Sequence, residues 1–417
     1  MNQKPRVLYV EMAHGMGGSV ISLHQLVRGL DRSRYEPIVL FYWDNAYVQR
    51  FRDLGVETIV WGGTRQAGNG LTPLAAPLHP PRRLARWQTR WPLLSKLYHG
   101  VGLYARTLLE TIPLAWRIRH LIHERRIDLV HANDLVGCNR EVIIAARLTG
   151  KPCLCHIRAF EDYTSIDRFL IRFVDRFVFI SQAIAASCIA QGADPTRGVV
   201  IYNALDTAEF GQLYDDGSSR QALGFGPDDL VVGIIGRLVR WKGQDTFLRA
   251  MAQVADAVPR LHCLIIGDAA PDSEGQAFRR ELDGLTQTLG LTDRVHFLGW
   301  RSDVPQLLSV MDVLVHASLE PEPFGRVLIE GMAAGKPVVA AAAGACPEII
   351  DDGVSGLLVP PGDADALANA VRSLLQSPDR MRAMGMVARR QVELRFSIAE
   401  HVRQVEQLYS ALVPSVS

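Results

Sequence analysis

Residues 318–337, SLEPEPFGRVLIEGMAAGKP, decide how the rest of the chain is read. Ahead of them MDVLVHAS alternates Val313 and Val315 with their neighbours as a buried strand does, and behind them Val338, Val339 and Ala340 begin another apolar run. Strand, loop, helix and strand make one βαβ unit. Pro323 and Gly325 mark the turn into the helix, Gly335 stands where a left-handed C-terminal cap is wanted, and Pro337 stops the helix from continuing. The pattern predicts a helix from about Phe324 to Ala334. Glu330 lies six residues into it, which at about 1.5 Å per residue is roughly 9 Å along the axis. Glu322 falls in the loop just ahead of the helix. Unbonded N–H groups at a helix start attract anions. One acid before that start and a second further along suit a diphosphate with a hydroxylated group on either side, which is the layout of a nucleotide sugar.

The run Glu322-Pro323-Phe324-Gly325 followed by Glu330 resembles the E-x7-E signature of the retaining, family-four glycosyltransferases. IYNALDTAEF at 201–210, GRLVRWKGQD at 236–245, FLGW at 297–300 and PEIIDDGVSGLLVPPGD at 347–363 also resemble that family, in its usual order. The resemblance covers nearly the whole chain and is strongest from about Ile201 to Asp363. It implies the GT-B architecture, two Rossmann-like α/β domains facing across a cleft. Residues 1–205 would form the acceptor-side domain and 206–397 the nucleotide-sugar domain, with 398–417 crossing back to the first. The family's pattern would place Glu330 on the ribose hydroxyls, Glu322 on the donor sugar, and Arg237 with Lys242 on the diphosphate. Phe324 and Gly325 would lie at the donor, and Gly299, beside Trp300, would hold the base largely through backbone. The reaction implied is transfer of a sugar to a glycan or lipid-linked acceptor, with retention at the anomeric carbon. The leaving phosphate would help to take the proton. This pattern calls for no cofactor and no metal, and it belongs to cell-surface polysaccharide or glycolipid synthesis.

Composition agrees with an ordinary globular protein of two domains: 417 residues, 48% hydrophobic, 21% charged. A formal net charge of +1 gives no global drive toward nucleic acid or membrane. The six cysteines, Cys138, Cys153, Cys155, Cys188, Cys263 and Cys346, have no metal-finger spacing, and a reducing cytosol suits them. The run VLYV near the start is too short for a secretory signal, and no later run approaches a spanning helix. A cytoplasmic protein is expected.

Toward the N-terminus, Arg6 to Val10 read as a strand feeding the loop Glu11 to Ser19, ahead of a helix with Leu23, Leu26, Val27 and Leu30 on one face. Gly15, Gly17 and Gly18 do not make a dinucleotide fingerprint, because Val20 stands where its third glycine belongs. In the resembled family Gly17 and Gly18 would approach the donor phosphate; the alternative is a plain tight turn. IDLVH at 127–131 is a strand ending in His131, a candidate catalytic group. The family often has His-x-His here, and Asn133 replaces the second histidine. The alternative for His131 is a strand-end histidine with a structural hydrogen bond. Asn133 and Arg158, the latter directly after another strand, are acceptor-side candidates by resemblance.

Between Arg82 and Arg126 stand ten Lys or Arg against two acids, Glu110 and Glu124, interleaved with Trp87, Trp91, Tyr98, Tyr104 and Trp116. That mixture suits the headgroup layer of an anionic membrane, placing the protein peripherally on its inner face. It equally suits a solvated helix pair whose aromatics fill a core.

In the second half Leu230 to Ile235 has the continuous apolar run of a central parallel strand. Arg237 and Lys242 follow in the loop before a helix that Asp245 is expected to cap, with Phe247, Leu248, Met251 and Val254 on one face. Asp363 and Asp365 form a DxD string at the start of a late helix, where N-capping is the better account. Two rival classes remain. A non-catalytic protein on this fold would have lost motif residues, yet Glu322, Glu330, Arg237 and Lys242 are all present. A nucleotide-sugar epimerase would lack the EPFG-x4-E arrangement.

Overall fold

The structure, a computed structural model, describes residues 4–12, 17–62, 107–211 and 217–413. The chain forms two compact units: Met1–Phe179, Ser187–Val199 and Gln404–Ser417 in the first, Ile180–Ala186 and Val200–Arg403 in the second.

The first unit is built on seven strands: β1 (Arg6–Glu11), β2 (Glu36–Phe41), β3 (Glu57–Val60), β4 (Leu129–Asn133), β5 (Cys153–Ile157), β6 (Arg176–Phe179) and β7 (Gly198–Val200). They lie in the order β3-β2-β1-β4-β5-β6-β7. β1 runs parallel to both neighbours, with Val7 opposite Pro37 on one side and Leu129 on the other. Helices cover both faces of such a strand, so Val7, Leu8, Tyr9 and Val10 are all fully buried, and the sequence there is a continuous apolar run. The second unit has six strands: β8 (Leu230–Ile235), β9 (Leu261–Ile266), β10 (Val295–Gly299), β11 (Val313–His316), β12 (Val338–Ala341) and β13 (Gly356–Val359). Their order is β10-β9-β8-β11-β12-β13, again parallel.

Each sheet winds outward in one direction, returns to its middle and winds outward in the other. The reversal falls between β1 and β4 in the first sheet and between β8 and β11 in the second. Loops leaving the carboxyl ends of those neighbours diverge and open a crevice, the usual ligand position in open parallel sheets.

Local signals account for most helix boundaries. The helix Arg326–Ala333 starts two residues later than the pattern predicted and ends one earlier, between Gly325 at φ +87° and Gly335 at φ +71°. Asp363 caps its helix as expected, accepting from Ala366 N at 2.8 Å. Phe247, Leu248, Met251 and Val254 are fully buried against Val232, Phe278 and Val371, as their spacing required. Asp245 is not the cap of that helix. The cap is Gly243, left-handed at φ +70°, where a Cβ would meet the Ala317 carbonyl oxygen at 2.0 Å. Close passage of the Ala317 backbone therefore selects the cap residue, and Asp245 falls inside the first turn.

Of the segment 82–126, residues 82–106, with Trp87, Trp91, Tyr98, Tyr104 and most of the arginines, lie outside the described residues. The helix Ile112–Glu124 turns Ala115, Ile118, Leu121 and Ile122 inward and leaves Trp116 55% exposed, with Arg117 packed over the Trp61 ring. Trp116 is therefore not a core aromatic. Among the described residues no helix is long and apolar enough to cross a membrane. All six cysteines are free, and five are buried as small hydrophobes.

His262 on β9 and His296 on β10 face each other in the second unit, Nδ1 to Nε2 at 3.2 Å, with Phe225 packed on both rings. Burial is the main cause that lowers the basicity of each below the usual value of 6.5; Asp229 raises that of His262, and the other histidine lowers that of His296. The unfolded chain thus takes up protons below about pH 6.5 that the folded unit resists, so stability present above that pH is lost as pH falls through it. The urea midpoint should drop between pH 7 and pH 5, and His296→Gln should flatten the drop. An unchanged slope in the variant would remove this pair as its source.

Candidate active site

β8 ends at Ile235, and the chain turns through Gly236, whose carbonyl oxygen would lie 2.0 Å from a Cβ on Gly267. Glycine at 267 is therefore a condition for the turn. The turn delivers Arg237, which is exposed and has no acidic partner among the described residues, and then Lys242. The adjacent strand β11 ends in His316, followed by the loop that carries Glu322. Leu319 N donates to the Trp241 carbonyl at 2.7 Å, tying the two loops together. A third loop, after β12, clamps the Glu322 backbone. Ala345 N donates to the Glu322 carbonyl at 2.8 Å, and Gly344, at φ +61°, passes so close that a Cβ would sit 2.2 Å from that oxygen.

The result is a carboxylate held in a defined direction. Lys242 Nζ donates to Glu322 Oε2 at 2.6 Å, and His316 Nε2 lies 3.0 Å from the same oxygen. Glu322 is 9% exposed and His316 3%. Burial pushes the Glu322 carboxyl up, but the hydrogen bonds and charges of His316 and Lys242 outweigh it and leave it at about 2. Glu322 is ionised at any physiological pH. No described residue bonds to its other oxygen, Oε1. A carboxylate with one oxygen occupied and one available is an acceptor for a single ligand hydroxyl.

Glu330 sits on the helix that Gly325 opens, its Oε1 at 3.4 Å from the Arg326 guanidinium, with both side chains largely covered. Gly299, at φ +65°, closes β10, and its carbonyl accepts from Gly267 N at 2.8 Å; Trp300 beside it is exposed. Arg237, Lys242, Glu322, Gly325 and Glu330 thus gather in the second unit at its switch point. Phe324 does not present its side chain there. It is 2% exposed and packs between Tyr202 and Phe396, so its ring anchors the loop rather than contacting a donor.

Gly17 in the first unit precedes the helix Gly18–Gly29 with an ordinary φ of −107°, and a Cβ would meet only Ser19 Oγ at 3.9 Å. The described fold does not itself demand glycine there. Gly15 lies outside the described residues. His131, expected as a catalytic group, is fully buried: its Nδ1 lies 2.5 Å from the Tyr409 hydroxyl, and its ring stacks on His156. The structural alternative describes that position, because the last helix seals it. Asn133 and Arg158 do come together, with Arg158 Nε donating to Asn133 Oδ1 at 2.6 Å. Asn133 in turn donates to Glu11 Oε2 at 2.6 Å, and all three residues are buried. They form a hydrogen-bonded chain at the carboxyl ends of β1, β4 and β5.

Three residues were not singled out from sequence: His316, Glu11 and Glu161. Glu11 and His316 each end a strand that borders the reversal of its own sheet, a position that topology marks and spacing does not. Glu161 accepts from Val136 N at 3.0 Å and Gly137 N at 2.7 Å, and burial pushes its carboxyl up to about 7. Among the described residues no three His, Cys, Asp or Glu side chains are grouped to hold a metal ion.

Two family descriptions match the chain, glycosyl transferases group 1 over residues 215–391 and glycosyltransferase family 4 over residues 16–209. The lipopolysaccharide core biosynthesis mannosyltransferase LpsB of Rhizobium meliloti is 28% identical over 77% of this chain and 92% of its own length. The D-inositol 3-phosphate glycosyltransferase of Corynebacterium kroppenstedtii is 34% identical over 52% of this chain, and the match spans 49% of that relative. The crystal structure of Anabaena HepE in complex with UDP and glucose aligns with a TM-score of 0.79 at 26% identity, over 98% of this chain and all of that one. Sucrose-phosphate synthase from Thermosynechococcus elongatus, at 23% identity and a TM-score of 0.76, shares the fold. With both halves matched and the two-sheet architecture reproduced along nearly the full length, the chain belongs to the group 1, family-four glycosyltransferases of GT-B fold.

Proposed function

We propose that the protein transfers a sugar from a nucleotide-sugar donor, with retention at the anomeric carbon, to a glycan or lipid-linked acceptor. The observation that carries this reading is Glu322: buried, ionised, held through Oε2 by Lys242 and His316, and open at Oε1. A donor-sugar hydroxyl is the partner it suits. Arg237 and Lys242 would meet the diphosphate together with the start of the helix Arg326–Ala333, and Glu330 the ribose. Cations and N–H groups aimed at the leaving phosphate stabilise the charge that develops there, the main task in breaking a glycosyl–phosphate bond. That supply of charge favours a metal-independent reaction. HepE, matched along its whole length, is seen with UDP and glucose and with UDP-glucose, which makes UDP-sugars the first donors to try. For the acceptor, the exposed Trp116 and Leu109 on a stretch that also carries Arg117 and Arg119 support a site of action at an anionic membrane surface.

Three measurements test this. In a thermal-shift panel of uridine, guanosine and adenosine diphosphates, one should raise the melting temperature; for that nucleotide Glu330→Ala should weaken binding about ten- to a hundredfold, the loss of a charged hydrogen bond of roughly 1.5–3 kcal/mol. Glu322→Ala should instead lower turnover and leave nucleotide affinity within about threefold, with the exposed Glu320→Ala as control. Parent-like nucleotide binding by Glu330→Ala would remove the ribose assignment. Turnover should survive EDTA; a loss restored by magnesium or manganese would reject the metal-free reaction. The protein should sediment with anionic but not neutral vesicles and be released near 1 M salt, where the Debye length falls to about 3 Å. Recovery in the supernatant with both vesicle types would turn the assignment to a soluble acceptor.

A further inference from the structure

His316 ends β11 at 3% exposure, and its ring has three polar neighbours. Nε2 lies 3.0 Å from Glu322 Oε2 and 3.2 Å from Ser318 Oγ, while Nδ1 lies 3.8 Å from Cys346 Sγ. An ionised carboxylate only accepts, so the first contact places a proton on Nε2. Burial, then the nearby Glu322 charge, pushes the Cys346 thiol up to about 12, so it keeps its hydrogen and can offer it to Nδ1. Nε2 carries a hydrogen in the neutral Nε2–H ring and in the charged ring alike, and either form donates to Oε2.

Lys242 shares Oε2 with His316 and, on the reading above, also serves the donor diphosphate. Phosphate oxygens will compete for its ammonium when a donor arrives. Without a second donor, the Glu322 carboxylate would then be left buried with its charge unmet, and it would turn or take up a proton. We propose that His316 is the positioning residue that prevents this. Its Nε2–H holds Oε2 while Lys242 turns to the diphosphate, so Glu322 keeps its charge and presents Oε1 to the donor-sugar hydroxyl. His316 itself touches no substrate. The inference rests on Glu322 as the sugar-contact residue.

The test pairs His316→Leu, which fills the space without a donor, with His316→Gln, whose amide N–H reaches a similar position. Both are compared with the parent for melting temperature, affinity for UDP, and kcat and KM with UDP-glucose as the probe donor. His316→Leu should lose about ten- to a hundredfold in kcat/KM for the nucleotide sugar, with UDP affinity within about threefold of the parent, and His316→Gln should recover most of the loss. Parent-like turnover in His316→Leu, or an equal loss in a folded His316→Gln, overturns the inference. So does a fall in UDP affinity that matches the fall in turnover. One measurement does not depend on turnover: the His316 ring nitrogens, assigned by NMR through their loss in His316→Gln, should show the proton on Nε2 at pH 7.5. A proton on Nδ1 alone overturns the inference even if the parent transfers no sugar. An inactive parent with Nε2 protonated would instead put the fault in the proposed function.

Discussion

A carboxylate that is nine-tenths buried and still ionised needs partners, and much of the second unit can be understood as supplying them to Glu322. Lys242 comes from the loop after β8 and His316 from the end of β11. Those strands are neighbours only because the sheet reverses its winding there. Had the chain continued outward from β10, β11 would lie at the far edge and the two donors would never converge. The close approaches around the site follow from the same requirement. Gly243, Gly267 and Gly344 each stand where a Cβ would strike a backbone carbonyl at 2.0 to 2.2 Å, and each lets one loop pass tightly over another. Backbone packing therefore sets the Glu322 side chain more firmly than its own rotamer preferences could.

The first unit repeats the topology and uses it differently. At its reversal the polar side chains are spent on one another: Arg158 on Asn133, Asn133 on Glu11, His131 on Tyr409. Burying so many polar groups is tolerable because they are hydrogen-bonded, and such a network rigidifies the strand ends. The polar surface nearby is also conditioned by burial, since Glu161 holds the Val136–Gly137 backbone with a carboxyl pushed up to about 7. The two sheets thus share a winding rule; in the second, among the described residues, Glu322 Oε1 has no bonded partner and the exposed Arg237 no acidic one.

What the chain reveals without coordinates follows the range of the interaction involved. Periodicity and turn residues act over a few positions, so β8, β11, the helix Arg326–Ala333 and the Asp363 cap were legible from neighbours alone. The acids Glu322 and Glu330 were legible too, because a loop, a helix start and their spacing lie within one short stretch. Asp245, Phe324 and His131 were misjudged for a different reason. Each is a suitable residue in a suitable local place, and each is overruled by something distant in sequence: the Ala317 carbonyl over Gly243, the Tyr202 and Phe396 rings around Phe324, and Tyr409 over His131. His316 went unremarked because, as the last residue of an apolar strand, nothing in spacing separates a core histidine from one aimed at a loop carboxylate six residues on.

Charge pairing bears on what an anion would meet in the proposed site. Lys242 is engaged with Glu322 and Arg326 with Glu330, whereas Arg237 has no acidic partner among the described residues. A diphosphate carries more charge than one exposed guanidinium can match in a partly screened setting. On the proposed donor reading it would draw on Lys242 as well, and the ammonium that holds Glu322 would be the group the ligand competes for. On that reading a two-member ion pair would not suffice, because binding would strip the carboxylate proposed to orient the sugar. A third, less mobile donor on the strand itself resolves the conflict. A side chain fixed at the end of β11 by burial loses little freedom when Lys242 moves away, which a second flexible lysine in a loop would not offer.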